Sequence, residues 1–254
     1  MNLAAETIPL ERLALALVPV GVVLLILNAW SLNIRTSLTA VGRMLLQLLL
    51  LGYLLRYIFE ADSSLVVMAV LSAMLLAASW ISLRVSAAHR RSLYPRVLFS
   101  IIVGGGSTLL IITQGVLQLD PWYEPQKMIP LAGMIFSNSM NAVSLAIERY
   151  QSELSRGEPC GPARRTALEA SLIPITNSLF AVGLVSIPGM MTGQVLSGTE
   201  PAIAARYQIM VMCMMFASAG ISAALSLYLA ERSGAAVPPT DAAASACLPE
   251  ASEN

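Results

Sequence analysis

The stretch "LVSIPGMMTGQVLSGTEPAIAARYQIMVMCMM", Leu184–Met215, decides how this chain is read. It is apolar enough to lie in a membrane, yet Pro188, Gly189 and Gly193 interrupt it and methionine pairs crowd both halves. A buried soluble core needs neither feature. Just beyond it, Tyr207–Ala230 contains no Asp, Glu, Lys or Arg. A membrane-spanning helix needs about 20 mostly apolar residues, and this run supplies them.

Working outward, the same absence of charge recurs in Leu13–Leu32, Leu65–Leu83, Val97–Leu119 and Met128–Ile147. Another run begins at Ser171 and continues past the Pro188-Gly189 interruption. Met44–Leu55 is short, but Arg43 and Arg56 can snorkel from its ends and lengthen it. Leu13–Leu32 lacks a basic leading region and a small-residue cleavage site, so it reads as a span and not as a cleaved signal. Period-two alternation is absent, which disfavours a membrane barrel. The fold class expected is all-α: a polytopic membrane helical bundle of about seven transmembrane helices, counted from these runs.

Composition agrees. Of 254 residues, 56% are hydrophobic and 12% charged, where a soluble domain carries about 25% charged residues. Basic and acidic residues balance at 15 each, so nucleic acid is excluded as a partner. Cys160, Cys213 and Cys247 are far apart and form no zinc or redox pattern. The positive-inside rule gives an orientation. Arg35, then Arg84, Arg90, Arg91 and Arg96, then Arg149, Arg156, Arg164 and Arg165, and finally Arg232 fall on alternate links; the opposite side holds Arg12, Arg56, Lys127 and Arg206. The N-terminus is therefore expected outside and the C-terminus inside. Residues 1–232 read as one transmembrane domain, and 233–254, rich in Ala, Pro and Ser, as a disordered cytoplasmic tail. Glu148–Ala170 is too small to bury a core of its own. Pro162 is expected to open a short surface helix there as its first residue.

Polar residues inside spans are the candidate site. Ser137, Asn138, Asn141 and Ser144 form a helical strip within "PLAGMIFSNSMNAVSLAIERY". An amide in hydrocarbon costs several kcal/mol when unpaired, roughly as transfer data set it, so Asn138 and Asn141 are expected to line a path. Asn177 follows Pro174, and Pro174 and Pro188 each remove a backbone donor; broken helices of this kind recur at transport sites. Met190 and Met191 sit at the break. Thioethers suit soft metals, but methionine more often fills gaps in a core, so metal ligation stays open. Arg43 and Gln47, four apart on one face, are either a lining pair or a boundary residue with an interhelical bond. Glu200, before Pro201, reads as a helix cap or surface charge.

Several activities are excluded by motif. No Gly-Lys-Ser/Thr loop is present, and "IVGGGSTLL" (Ile102–Leu110) lacks the lysine, so ATP is not bound by that route. No protease motif and no pair of carboxylates occurs within a span. The chain reads as a transport subunit and not an enzyme, drawing energy from a partner.

"GRMLLQLLLLGYLLRYIF" (Gly42–Phe59), "IPLAGMIFSNSMNAVSLAIERY" (Ile129–Tyr150) and the stretch from Leu172 to Met215, with its "PGMMTG" and "RYQIMV" blocks, together resemble the FetB-like iron-export permeases of ABC transporters. The similarity runs from about the second span to the last. It implies a multi-pass permease of the inner (plasma) membrane that works as a homodimer with a cytoplasmic ABC ATPase. ATP and Mg would be held by that partner, with no cofactor on this chain. Iron or a related metal is the implied cargo. Plant members are tied to aluminium tolerance and linked to nucleotide-sugar transport, so export of an organic solute is the alternative, and a non-transporting scaffold the alternative of another class. The residues expected to line the path are Asn138, Asn141, Asn177, Met190 and Met191, with Arg43 and Gln47 as a lining or structural pair. Arg156, Arg164 and Arg165 are the expected contact with the ATPase. "SRGEPCGPARRTALEA" (Ser155–Ala170) stands where the resemblance implies a longer coupling loop.

Overall fold

The computed structural model describes Pro9–Glu60, Ser63–Ala87 and His89–Ser233. Among these residues the chain is helical, without a strand. The tail expected to be disordered from Ser233 lies, apart from that residue, outside the described residues. The chain divides into two compact units, Met1–Asp62 and Ser63–Asn254.

The first unit holds α1 (Leu10–Leu15), α2 (Leu17–Ala29) and α3 (Ile34–Glu60). Met44–Leu55, read as a short span, is the middle of the 27-residue α3. Polar residues at its start do not stop the helix, because Thr39 folds its hydroxyl back on the Arg35 carbonyl at 2.8 Å. At its other end Arg56 pairs with Glu60 at 3.0 Å, one turn on.

The second unit opens with α4 (Ser64–Ser82), which tightens into a 3₁₀ turn at Leu83–Ser86. A helix from Arg90 to Val116 follows as α5 (Arg90–Ile101) and α6 (Ser107–Leu110), with π-helical turns at Ile102–Gly106 and Ile111–Val116. Then come α7 (Pro125–Ser155), α8 (Cys160–Ala181), the short α9 (Gly189–Leu196) and α10 (Pro201–Arg232). Helix α7 is the central element. It buries Ile135, Val143, Ala146, Ile147 and Tyr150, and packs on α4, α8 and α10.

Five helical stretches among the described residues are long and apolar enough to cross a membrane: Glu11–Ala29, Ile34–Glu60, Ser64–Ser86, Arg90–Val116 and Pro201–Arg232. The runs expected to span within α7 and α8 are not among them. The amide strip of Asn138 and Asn141 lowers the hydropathy of α7, and Arg164, Arg165 and Glu169 occupy the first half of α8.

Lipid tails are as apolar as leucine, so helices in a membrane associate through close packing of small residues and a few hydrogen bonds. The second unit is built this way. Gly104 in the first π turn lies against Ser222 of α10 so closely that a Cβ there would sit 2.7 Å from the Ser222 amide nitrogen. Ser222 donates to Ser139 Oγ at 3.2 Å, and Ser139 donates to the Ser218 carbonyl at 3.2 Å, joining α7 to α10.

Two expectations about local structure are corrected. Pro162 does not open a surface helix. Helix α7 runs on to Ser155 because Tyr150 and Leu154 continue its buried face, and α8 starts at Cys160 with Pro159 as its cap. Gly157, at φ +87°, turns the chain between them. Its N–H bonds to Leu154 O and that of Glu158 to Glu153 O, which is a Schellman ending. Nor does the run from Ser171 continue as one helix to Pro188. Helix α8 passes through Pro174 and ends at Ala181; Val182 is extended, Gly183 has φ +82°, and Pro188 caps α9. A second Schellman ending, at Gly198 with φ +92°, closes α9. Glu200 then caps α10 by its backbone, without a side-chain bond, and Pro201 is the first helical residue.

Candidate functional site

Periodicity brings three helix faces together in the second unit. Met134, Asn138, Asn141 and Leu145 recur along one face of α7. Ser171, Ile175 and Ser178 recur along α8, with Val182 just past its end, and Gln208, Met212 and Met215 along α10. Between these faces and α9 lie three clefts that share walls, the third bounded by α7, α9 and α10 without α8. An inner cleft of about 100 Å³ is lined by Asn138, Asn141, Ser171, Pro174, Ser178 and Met215. A middle cleft of about 290 Å³ shares Ser178 and Met215 with it and adds Met134, Met190, Gln208 and Met212. An outer cleft of about 640 Å³ shares Met134 and Met190 with the middle one and reaches Gln126, Lys127, Gln194, Thr199 and Tyr207. Along α7 this row extends from Lys127 to Leu145, about 27 Å at 1.5 Å per residue. The hydrocarbon core of a bilayer is about 30 Å thick.

The chemistry of the row is nearly neutral. Its lining includes one ionisable group with a charge at neutral pH, Lys127 at the outer end, and that ammonium is paired with Glu124 at 2.9 Å. The polar groups elsewhere are amides and hydroxyls. Asn138 donates its Nδ2 to the Met215 carbonyl, tying α7 to α10 beside the inner cleft. Gln208 is 6% exposed and its Oε1 has no hydrogen-bond partner, although it lines the middle cleft. The Gln194 Oε1, in the outer cleft, is buried and unpartnered as well. A buried carbonyl without a donor costs about 1–3 kcal/mol, so each of these positions is poised to accept a ligand or water. Among the described residues no group of three or more His, Cys, Asp or Glu side chains is arranged to hold a metal ion.

The residues expected at the site are only partly brought together. Asn138 and Asn141 face the inner cleft, and Met190 the wall between the middle and outer clefts. Met190 reaches it because α8 stops at Ala181 and α9 restarts the chain at Gly189. Met191, one residue on, is half-buried and lines none of the three clefts. Asn177 is exposed on α8 and also lines none of them. Arg43 and Gln47 belong to the first unit, one turn apart on α3 and both exposed. Gln208 and Met134 are not among the residues read from sequence, and Met212 and Met215 are read there only as members of the methionine cluster. A signal for them existed: Gln208, Met212 and Met215 are spaced to share a face, and Met134 and Asn138 are one turn apart.

At the Tyr150 end of the bundle the arginines have internal partners. Glu153 is buried between Arg149 at 2.6 Å and Arg156 at 3.4 Å. Arg164 pairs with Glu231, joining the start of α8 to the end of α10. Arg165, one residue on, is exposed.

Residues 10–234 match the model of the family described as "Uncharacterised protein family (UPF0014)". The chain is 36% identical over 214 residues to a UPF0014 membrane protein of Synechocystis sp., covering 77% of this chain and 82% of that one. It is 35% identical over 243 residues to the "Probable iron export permease protein FetB" of Escherichia coli, covering 87% of this chain and 90% of that one. It is 29% identical over 232 residues to "Protein ALUMINUM SENSITIVE 3" of Arabidopsis thaliana, covering 83% and 82%. No solved structure matches the chain.

Proposed function

We propose, since this chain belongs to the UPF0014 family of membrane proteins, that it is the permease subunit of an exporter that moves iron or a related metal, driven by ATP hydrolysis on a separate subunit. The observation that carries this reading is the row of clefts between α7, α8, α9 and α10, whose length is close to that of a bilayer core. The relative named a probable iron export permease supports the metal cargo. In this reading residues 1–232 form the permease domain, α7 and α8 cross the membrane with the five apolar stretches to make seven spans, and the N-terminus lies outside. Arginine placement in the loops supports that orientation.

Asn138, Asn141 and Met190 line the path, and Asn177 and Met191 stand beside it. Arg156, Arg164 and Arg165 form the surface for a cytoplasmic ABC ATPase, which binds ATP and Mg. The Arg164–Glu231 pair connects that surface to α10, the helix that carries Gln208, Met212 and Met215. A push on the start of α8 therefore reaches the clefts through one ion pair and one helix. Asn177 is exposed outside the clefts and makes no side-chain hydrogen bond among the described residues. An amide facing lipid is costly, which supports a homodimer whose second copy covers it.

Vesicles containing the chain and its ATPase test the reading. Iron-stimulated ATP hydrolysis with matching iron efflux is the expected result. Hydrolysis and flux indifferent to iron would move the cargo to an organic solute, and failure to form a complex with any ATPase would overturn the transport reading.

A further inference from the structure

The middle cleft has an unusual donor set. Four of its eleven lining residues are methionines: Met134 from α7, Met190 from α9, and Met212 and Met215 from α10. Three separate helices therefore line one cleft with methionine. None of the lining residues is charged. The polar side chain most deeply buried there is Gln208, whose carbonyl oxygen has no partner among the described residues. Ordinary core packing explains buried methionines, but it does not explain an unpartnered amide oxygen beside them in an open cleft.

The charge a ligand can carry follows from these donors. Moving an ion out of water costs an amount that grows with the square of its charge, and only opposing charge or very good coordination repays it. Neutral thioethers and one amide oxygen offer no opposing charge. A divalent or trivalent hard cation, which favours carboxylate and water oxygen, is poorly served. A soft monovalent cation is well served, since thioether sulfur is polarizable and selects ions such as Cu(I).

We infer that the middle cleft is a binding site for a soft monovalent cation, held by the thioethers of Met134, Met190, Met212 and Met215 with Gln208 Oε1 as its oxygen donor. The inference rests on reading the row of clefts as a cargo path, and of iron or a related metal it assigns this cleft to a soft related metal and not to iron. Met190 is the adjustable member. It is 36% exposed, sits on a short helix between two chain reversals, and also borders the outer cleft. It can hand an ion from one cleft to the next.

Silver ion, a redox-inert stand-in for Cu(I), is the probe. Binding of Ag⁺ to the full chain purified in detergent, its thiols alkylated beforehand, is measured by titration calorimetry. One Met-dependent site is expected. Met190→Leu and Met215→Leu, which conserve volume, each weaken it by about tenfold or more, roughly 1.4 kcal/mol. Met214→Leu, a buried methionine that does not line the cleft, leaves it unchanged. Fe²⁺ at equal concentration does not displace the silver. Absence of Ag⁺ binding, binding indifferent to Met190→Leu and Met215→Leu, or equal displacement by Fe²⁺ overturns the inference. Iron flux in vesicles with the ATPase is measured separately. Flux without Ag⁺ binding removes the thioether site and leaves the transport reading; Ag⁺ binding without flux of iron or silver removes the transport reading and leaves the site.

Discussion

Replacing Gly104 by alanine tests how the second unit is held together. The added Cβ would lie 2.7 Å from the amide nitrogen of Ser222 and 3.1 Å from its Cα, and would also overlap the Ser222 hydroxyl. Carbon contacts are most favourable at about 3.5–4.0 Å, so the new methyl is too close by about half an ångström or more. The atoms it meets are largely backbone, so no rotamer change relieves the overlap, and the helix containing Gly104 must move away from α10. Overpacking of this kind costs about 1–3 kcal/mol. Alanine's better helix propensity returns at most about 1 kcal/mol. The expected net loss is about 1–2 kcal/mol, a five- to thirty-fold fall in the ratio of folded to unfolded protein. SDS titration of the protein in mixed micelles, followed by circular dichroism, reads that ratio. Gly106, two residues on in the same π turn, has open space at its Cβ position, and Gly106→Ala should be neutral or slightly stabilising. Ser222→Gly in the Gly104→Ala background removes the hydroxyl overlap but not the backbone one, so recovery should be partial. If Gly104→Ala and Gly106→Ala unfold at the same SDS fraction, the close approach is not a determinant of stability and the reasoning fails.

Other consequences are measurable in the same way. Gly157→Ala forces a side chain into a left-handed conformation at φ +87° and should cost about 1–2 kcal/mol in the SDS titration. A double-mutant cycle on Arg164→Ala and Glu231→Ala should give a coupling of about 0.2–1 kcal/mol that shrinks with added salt, because the pair is partly solvated; a salt-independent coupling would contradict that picture. Asn138→Leu removes the bond to the Met215 carbonyl. It should cost only about 0.6 kcal/mol of stability, the average for interhelical bonds in a membrane, while lowering flux in vesicles by about tenfold or more, the equivalent of about 1.4 kcal/mol. Equal effects on stability and flux would make Asn138 a packing residue alone.

The membrane class was legible because it depends on one property, the absence of charge over helix-length runs. The amide strip on α7 was legible because Asn138 and Asn141 repeat at a helical spacing. Two other features were not. The helices of this bundle do not end where their apolar runs end: α3 starts ten residues before Met44, and α8 starts eleven residues before Ser171. Polar side chains at a membrane boundary do not break a helix, so hydropathy marks depth and not helix length. Gln208 was also missed. Its importance arises from a missing partner, and only the arrangement of α7, α8 and α10 shows that no donor reaches it. Met191 is placed differently from Met190. Next to Met190 in sequence, it was read as equivalent, but adjacent residues on α9 point about 100° apart.

The interruption at 182–200 now has a structural role. A continuous helix through this region would carry Met190 on past the end of α8. Instead the chain leaves α8 at Ala181, turns at Gly183, restarts at Pro188 and turns again at Gly198 before α10 returns. Two reversals set an eight-residue helix beside the row of clefts, and its methionine becomes a shared wall of two of them. Such an element is held by few contacts along its length, since α9 buries no residue completely. Segments with little buried surface are those that open at low cost. On the proposed reading this places the weakest part of the second unit at the junction of the middle and outer clefts. The packed Gly104–Ser222 contact lies outside that element. The α7–α10 serine bonds hold a frame, and α9 is a loosely held wall beside it.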